Sequence, residues 1–204
     1  ESNLKHYILE KKKQKELVDP NIHTNKILEK LKNDLKMNTL PKRIECFDNS
    51  NIQGYFAVAS MVCFINGKPN KKEYRRFNIK TVEGPNDYAS MEEIVYRRYK
   101  RALEENLPLP ELIIIDGGKG QLNSAIKSLE RLNLTSKIKI IAIAKKLEEI
   151  YTPDDPLPLY IDKKTESLKL IQRIRDEAHR FAISYHRNKR EKNLFKSELA
   201  EIKG

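Results

Sequence analysis

Asp48 closes the run Ile44-Glu45-Cys46-Phe47, and Asp116 closes the run Leu112-Ile113-Ile114-Ile115 just before a glycine turn, Gly117-Gly118-Lys119-Gly120. A buried strand that ends in an acid delivers its carboxylate to the carboxyl edge of a sheet, where open α/β sheets place their ligands. Two carboxylates brought there from strands far apart in sequence supply the hard oxygen donors that Mg2+ and Mn2+ prefer. Two such ions can clamp the attacking and leaving oxygens of a phosphodiester. Each aspartate alone has a structural explanation. Asp48 opens the turn-rich string Asp48-Asn49-Ser50-Asn51, and Asp116 precedes a helix it could cap. The design shared by the two favours a metal site.

The string Arg175-Asp176-Glu177-Ala178-His179-Arg180-Phe181-Ala182-Ile183-Ser184-Tyr185-His186 reads as helix. On a wheel, Ile171, Ile174, Ala178, Phe181, Ala182 and Tyr185 form one apolar stripe, with Arg175, His179 and His186 along one border. A border histidine can face a cleft, where it orients or deprotonates a water or ligates a metal; a lone one is more often structural. Asp87, in Gly84-Pro85-Asn86-Asp87-Tyr88, is fully explained as part of a helix cap, and a role as a peripheral carboxylate stays open.

The glycine turn fits neither G-x-G-x-x-G nor G-x-x-x-x-G-K-[ST], which disfavours a nucleotide-binding α/β domain. Glycines ahead of a helix still let a phosphate approach backbone N–H groups, with Lys119 as counter-charge. Tyr74-Arg75-Arg76-Phe77, Tyr96-Arg97-Arg98-Tyr99-Lys100-Arg101 and Arg187-Asn188-Lys189-Arg190 set arginines beside aromatics or lysine. Arginines can grip phosphates and aromatics can stack on bases. Tyr96 and Tyr99, at helical spacing, read as core. Arg75, Arg76, Arg97, Arg98, Arg175, Arg187, Lys189 and Arg190 are the candidates for DNA phosphates.

Residues 1–41 read as a polar, basic helical lead-in, with Ile22, Ile27, Leu28, Leu31 and Leu35 predicting an amphipathic helix over 22–38 that docks on the globular part beyond Pro41. Strands are predicted over 43–48, 56–65 and 73–80, the last two joined at Asn66-Gly67, the strongest short hairpin signal. Beyond them the pattern predicts helix 88–104, strand 111–115, helix 119–132, strand 138–144, a proline-rich loop and a helix over about 165–190. A tight hairpin excludes an all-parallel sheet. The order β-β-β-α-β-α-β-α is that of a ribonuclease-H-like fold: an α/β protein with a mixed five-stranded sheet flanked by helices. In that topology the first and fourth strands are neighbours, which sets Asp48 beside Asp116.

With 204 residues the chain has room for one substantial core with appendages. No apolar stretch approaches the ~20 residues of a membrane span, and the N-terminus lacks the basic start and apolar core of a signal peptide. The chain does not begin with methionine, so a fragment of a longer protein is expected. A net charge of +11 favours a polyanionic partner, nucleic acid foremost. Cys46 and Cys63, both inside apolar runs, read as buried free thiols of a cytosolic protein, and no Cys/His cluster has zinc spacing.

Four strings, Ile44-Glu45-Cys46-Phe47-Asp48-Asn49-Ser50-Asn51-Ile52-Gln53-Gly54, Gly84-Pro85-Asn86-Asp87-Tyr88-Ala89-Ser90-Met91, Ile115-Asp116-Gly117-Gly118-Lys119-Gly120-Gln121-Leu122 and Arg175-Asp176-Glu177-Ala178-His179-Arg180-Phe181-Ala182, together resemble the C-terminal half of the UvrC family. That family supplies the nuclease subunit of bacterial nucleotide-excision repair. The resemblance implies a ribonuclease-H-like endonuclease domain over residues 42–190 that uses Mg2+ or Mn2+ to make the incision 5′ to a lesion in double-stranded DNA. It implies catalytic and metal-holding roles for Asp48, Asp116 and His179, with Asp87 linked to the same cut. It further implies a UvrABC setting, with UvrB contacted through regions largely absent from this chain, a bacterial cytoplasmic location and a monomer. Residues 191–204 look like a linker and the opening of a helix-hairpin-helix DNA-binding domain, and no segment resembles the nuclease domain for the 3′ cut. Asn49 departs from the family's more usual isoleucine, a change expected to alter packing and not chemistry. The competing reading is a non-catalytic basic DNA-binding module on a degenerate nuclease fold, which needs no metal.

Overall fold

The computed structural model describes residues 7, 20–50, 58–80, 82, 86–144, 149–153 and 155–201, except for the side chains of residues 20, 50, 58 and 185–201. In chain order the elements are α1 (Pro20–Asp34), β1 (Arg43–Ser50), β2 (Val58–Ile65), β3 (Lys68–Pro69), β4 (Arg75–Asn78), α2 (Asp87–Glu104), β5 (Leu112–Asp116), α3 (Lys119–Arg131), β6 (Lys139–Ile143), β7 (Ile150–Tyr151) and α4 (Glu166–Glu201). A 3-10 turn, Lys71–Glu73, separates β3 from β4.

Side chains of a strand alternate between faces. In β1, Ile44 and Cys46 enter one core and Phe47 the other. Buried on both sides, β1 is central. It pairs antiparallel with β2 and parallel with β5, β5 pairs parallel with β6, and the sheet order is β3-β2-β1-β5-β6-β7 with β4 on β2. The mixed sheet and its flanking helices are those of a ribonuclease-H-like fold. Helices α1 and α4 cover one face: Leu28 and Leu31 of α1, Leu35 just beyond it, and Leu168, Ile171, Ile174 and Ala178 of α4 share a core with Ile44 and Ile114. Helices α2 and α3 cover the other through Met91, Ile94, Tyr99, Leu122 and Leu129. Because α1 contributes to the first core, the packed body begins ahead of residue 42.

The Asn66-Gly67 hairpin forms as its sequence predicts. Both residues hold positive φ (48° and 69°), the requirement of a two-residue turn of this hand. The turn sits against α1, since a Cβ on Gly67 would lie 2.9 Å from the Thr24 methyl group, and Arg173 of α4 donates to the Gly67 carbonyl. The strand expected over 73–80 is shorter, Arg75–Asn78, and a separate two-residue strand precedes it. Pro69 has no N–H to extend the ladder, and Glu73, whose amide bonds back to Asn70, is drawn inward to the Arg43 guanidinium. Among the described residues the sheet therefore has seven strands where five were expected, the two additions (β3 and β7) being two residues long.

A charged side chain, that of Glu45, stands wholly inside the α2-facing core. Glu45 is 0% exposed and accepts from Arg43 (2.8 Å), Arg98 (2.8 Å) and the Tyr99 hydroxyl (2.9 Å). Arg43 also binds Glu73, and that hydrogen bond holds the Glu73 carboxyl below its usual range. A buried charge is tolerable only when paired and hydrogen-bonded in this way.

Candidate metal centre and nucleic-acid interface

Asp48 and Asp116 are register partners on the parallel pair β1–β5. By strand alternation both lie on the α4 face, the face of Cys46 and Ile114. They are 1% and 4% exposed. Ala178 and Ala182, buried against the sheet, let α4 approach closely and carry the His179 ring over Asp48. His179 Nδ1 is 3.0 Å from Asp48 Oδ2, and ligand atoms of Asp48, Asp116 and His179 all lie within 4.8 Å of one another. A carboxylate only accepts, so Nδ1 carries the proton of this contact and, in the neutral ring, Nε2 carries the lone pair. The imidazole is 41% exposed, so the cluster opens to solvent on the histidine side.

The charges of this cluster register on the thiol of Cys46, one turn of the pleat away on the same strand face. Burial first, then the charges of Asp116 and Asp48, push that thiol well up, while Arg175 acts in the opposite sense. Cys46 is therefore a protonated core residue and no nucleophile. Arg175, one helical turn before His179, acts against the two acids at the Cys46 thiol, and its guanidinium donates to Asp176.

A row of side chains continues across the sheet from these acids. Ser60 of β2 is the register partner of Asp48, and Arg76 of β4 is the partner of Ser60. Ser60 Oγ donates to the carbonyl of Ala178 (3.3 Å), fixing the helix at the residue before His179. The Arg76 guanidinium lies 4.4 Å from the centre of the Phe181 ring, which Tyr74 meets edge-on. Arg76 stands two strands, roughly 10 Å, from Asp48 on the same face. Arg75 neighbours it, exposed, donating to the carbonyls of Lys72 and Tyr74.

The remaining candidates are elsewhere. Asp87, exposed, is the first residue of α2; Asn86 caps that helix by accepting from Ala89 N. Asp87 is not in the Asp48–Asp116–His179 group, yet its carbonyl accepts from Asn49 Nδ2 (3.1 Å), so it is tied to the residue after Asp48. Lys119 opens α3, with Gly118 as a cap that supplies no side-chain bond, and its Nζ donates to the Pro156 carbonyl. Arg97 binds Glu93 and the Asn78 carbonyl. Arg98 needs correction as a phosphate ligand: its side chain is 10% exposed and is committed to Glu45. The backbone of α4 runs through Arg187, Lys189 and Arg190, whose side chains, with those of Tyr185 and His186, lie outside the described residues.

Sequence reasoning passed over Ser60, the hydrogen-bonding use of Asn49, and Glu45. The last had a signal, since a glutamate inside an otherwise apolar strand must have a cationic partner.

A mixed sheet of this order, with an acid two residues before the end of β1, another closing the parallel β5 and a helix laid across both, defines a nuclease domain of the ribonuclease-H-like class. The family model for the UvrC RNAse H endonuclease domain matches residues 32–183, and the chain belongs to that family. It is 60% identical over 202 residues to the UvrABC system protein C of Flavobacterium psychrophilum, covering 99% of this chain and 34% of the relative. It is 63% identical over 180 residues to that of Cytophaga hutchinsonii, covering 88% and 30%. The chain thus spans about a third of the length of these relatives. Among solved structures, Ciona intestinalis endonuclease V in complex with an inosine-containing 24mer DNA aligns with a TM-score of 0.38 and 20% identity, over 80% of this chain and 69% of that one, a likeness too loose to argue from.

Proposed function

We propose that this chain is the catalytic part of a UvrABC system protein C, hydrolysing one phosphodiester bond of damaged double-stranded DNA on the 5′ side of the lesion. The observation that carries the reading is the approach of Asp48, Asp116 and His179 to within 4.8 Å, two buried carboxylates and a half-open imidazole with an outlet to solvent. Two carboxylates and one imidazole make a hard, oxygen-rich donor set that suits Mg2+ or Mn2+ and lacks the thiolates of a structural zinc site. Asp48 and Asp116 would hold the cation, which when bound supplies charge neutralisation at the phosphodiester and a water of lowered pKa.

The chain's own groups divide the rest of the work. Asp48 orients the imidazole through Nδ1, so that Nε2 is the atom able to take a proton from the attacking water or to complete the cation's ligands. Arg75 and Arg76 hold phosphates of the strand being cut at a distance from the reacting one, and Arg175 offsets the charge of the two acids. In-line attack by water leaves a 3′-hydroxyl and a 5′-phosphate. Lys119 and the arginines and lysine at 187–190 extend the phosphate contacts. UvrB and the further length that the relatives have supply recruitment to the lesion, in a bacterial cytoplasm. No helix among the described residues is long and apolar enough to cross a membrane.

The test is calorimetric titration of Mn2+ into the chain, beside Asp48→Asn and Asp116→Asn, followed by nicking of a lesion-containing duplex with the same proteins. Binding and nicking that both substitutions remove, with DNA affinity within about twofold of the parent, support the reading. Nicking that survives either substitution would sink it.

A further inference from the structure

We infer that Tyr88 is a stacking platform for an unpaired nucleobase next to the scissile phosphate, a substrate subsite distinct from the three residues that hold the reaction. This inference rests on the nuclease reading above. Tyr88 is 58% exposed, a large aromatic left in solvent at the carboxyl edge of the sheet. Its ring lies directly on Gly120: a Cβ at that position would come within 2.5 Å of a ring carbon and 3.1 Å of the hydroxyl oxygen. Only a glycine allows this contact. The ring thus rests on the first turn of α3, just beyond Asp116.

Two short links tie the ring to the two acids. From Asp116 the chain reaches Gly120, beneath the ring, in four residues. From Asp48 the next residue, Asn49, donates to the carbonyl of Asp87, whose neighbour is Tyr88. Tyr88, Asn86, Asp87, Gly118, Gly120 and Gln121 line a hollow of about 450 Å3, inside the ~300–1,000 Å3 range of sites that take small flat ligands. Among the described residues Tyr88 is the sole aromatic of that lining. The chemistry of the occupant follows from the surroundings. Lys119 lies in the same turn, the chain carries +11, and the neighbouring acids handle phosphodiesters, so the flat group that meets an exposed ring here is a base. A stacking contact of this kind tolerates any base, which suits an enzyme that must cut beside lesions in every sequence.

The experiment compares the 204-residue chain with Tyr88→Ala and Tyr88→Phe for affinity, by fluorescence anisotropy in EDTA so that nothing is cut. The ligands are a thymidine strand of about 16 nucleotides and a strand of equal length whose nucleotides are abasic, so that phosphate charge is matched. The inference expects Tyr88→Ala to bind the thymidine strand roughly 10-fold more weakly than the parent, Tyr88→Phe to bind like the parent, and the gap to close on the abasic strand. The chain has no tryptophan, so Tyr88→Trp adds one reporter, whose emission the thymidine strand should quench and the abasic strand should not. An equal loss on both strands makes Tyr88 merely structural and overturns the platform. Unchanged affinity in Tyr88→Ala overturns it too, while leaving the nuclease reading intact. A parent chain that binds neither strand overturns the platform, while the duplex-nicking and Mn2+ assays above decide the nuclease reading separately.

Discussion

Asp116→Asn should stabilise the metal-free protein while removing its response to Mn2+. Ligand oxygens of Asp48 and Asp116 lie within 4.8 Å of each other, and both residues are nearly inaccessible. Two like charges at that separation repel by about 3.5 kcal/mol at an effective dielectric of ~20. The His179 ring against Asp48 offsets part of this, which leaves a relief of roughly 1–2 kcal/mol once one charge is removed. For a chain of this size the melting temperature should then rise by about 2–8 °C in EDTA. Mn2+ at about a hundred times its dissociation constant should stabilise the parent by ~2.7 kcal/mol and the variant far less. The order of the two melting curves therefore inverts between EDTA and Mn2+, as read by far-UV circular dichroism. A variant that melts at or below the parent in EDTA refutes the repulsion argument, and equal Mn2+ shifts in the two proteins place the ion somewhere other than between these acids.

Glu45→Gln should cost about 3–5 kcal/mol in urea denaturation, because it leaves two nearly buried guanidinium groups short of a counter-charge; Glu45→Met combined with Arg98→Met should recover much of that loss, and a double variant as unstable as the single one would contradict the account. Gly120→Ala should melt no lower than the parent, since alanine favours a helical first turn by about 1 kcal/mol, yet should lose DNA affinity as Tyr88→Ala does by displacing the ring; anisotropy and thermal melts on one preparation check both halves. Stability should be level between about pH 7 and 9 and fall above that. Burial, then the neighbouring Glu45 and Glu73, pushes the Cys63 thiol up to about 12, although Arg43 opposes them. The unfolded chain therefore gives up this proton first, and the contribution is lost between about pH 9 and 12. Urea midpoints at stepped pH test this, and Cys63→Ala should lessen the decline, the buried Cys46 thiol sustaining the rest.

The pairing of Asp48 with Asp116 was legible because it follows from element order. Apolar runs of strand length, one hairpin and alternating helices leave few topologies, and the one chosen makes the two acids neighbours. The stripe of α4 was legible for the same kind of reason, a period of about 3.6 that the core at Ile171, Ile174 and Ala178 repeats. Arg98 was misread because its string, Tyr96-Arg97-Arg98-Tyr99, has the local composition of a phosphate grip. Which arginine turns inward is decided by Glu45, 53 residues away. The late start of the third strand, where Arg43 draws Glu73 inward, is likewise set at long range. Asn49 looked like a packing change until its amide met the Asp87 carbonyl. Periodicity reports which face is buried; it does not report which polar partner waits there.

The buried glutamate has a second consequence, for how this strand tolerates change over time. Side chains of β1 alternate, so sliding the strand by one residue would turn Glu45 toward α4, away from Arg98 and Tyr99, and turn Asp48 toward α2, away from His179. Hydrophobic side chains on both faces of β1 would accept either alignment almost equally well. The ionic lock accepts only one. Glu45 thereby acts as a spelling check on the alignment of its own strand, and a single-residue insertion or deletion between Arg43 and Asp48 should be far more damaging than most substitutions there.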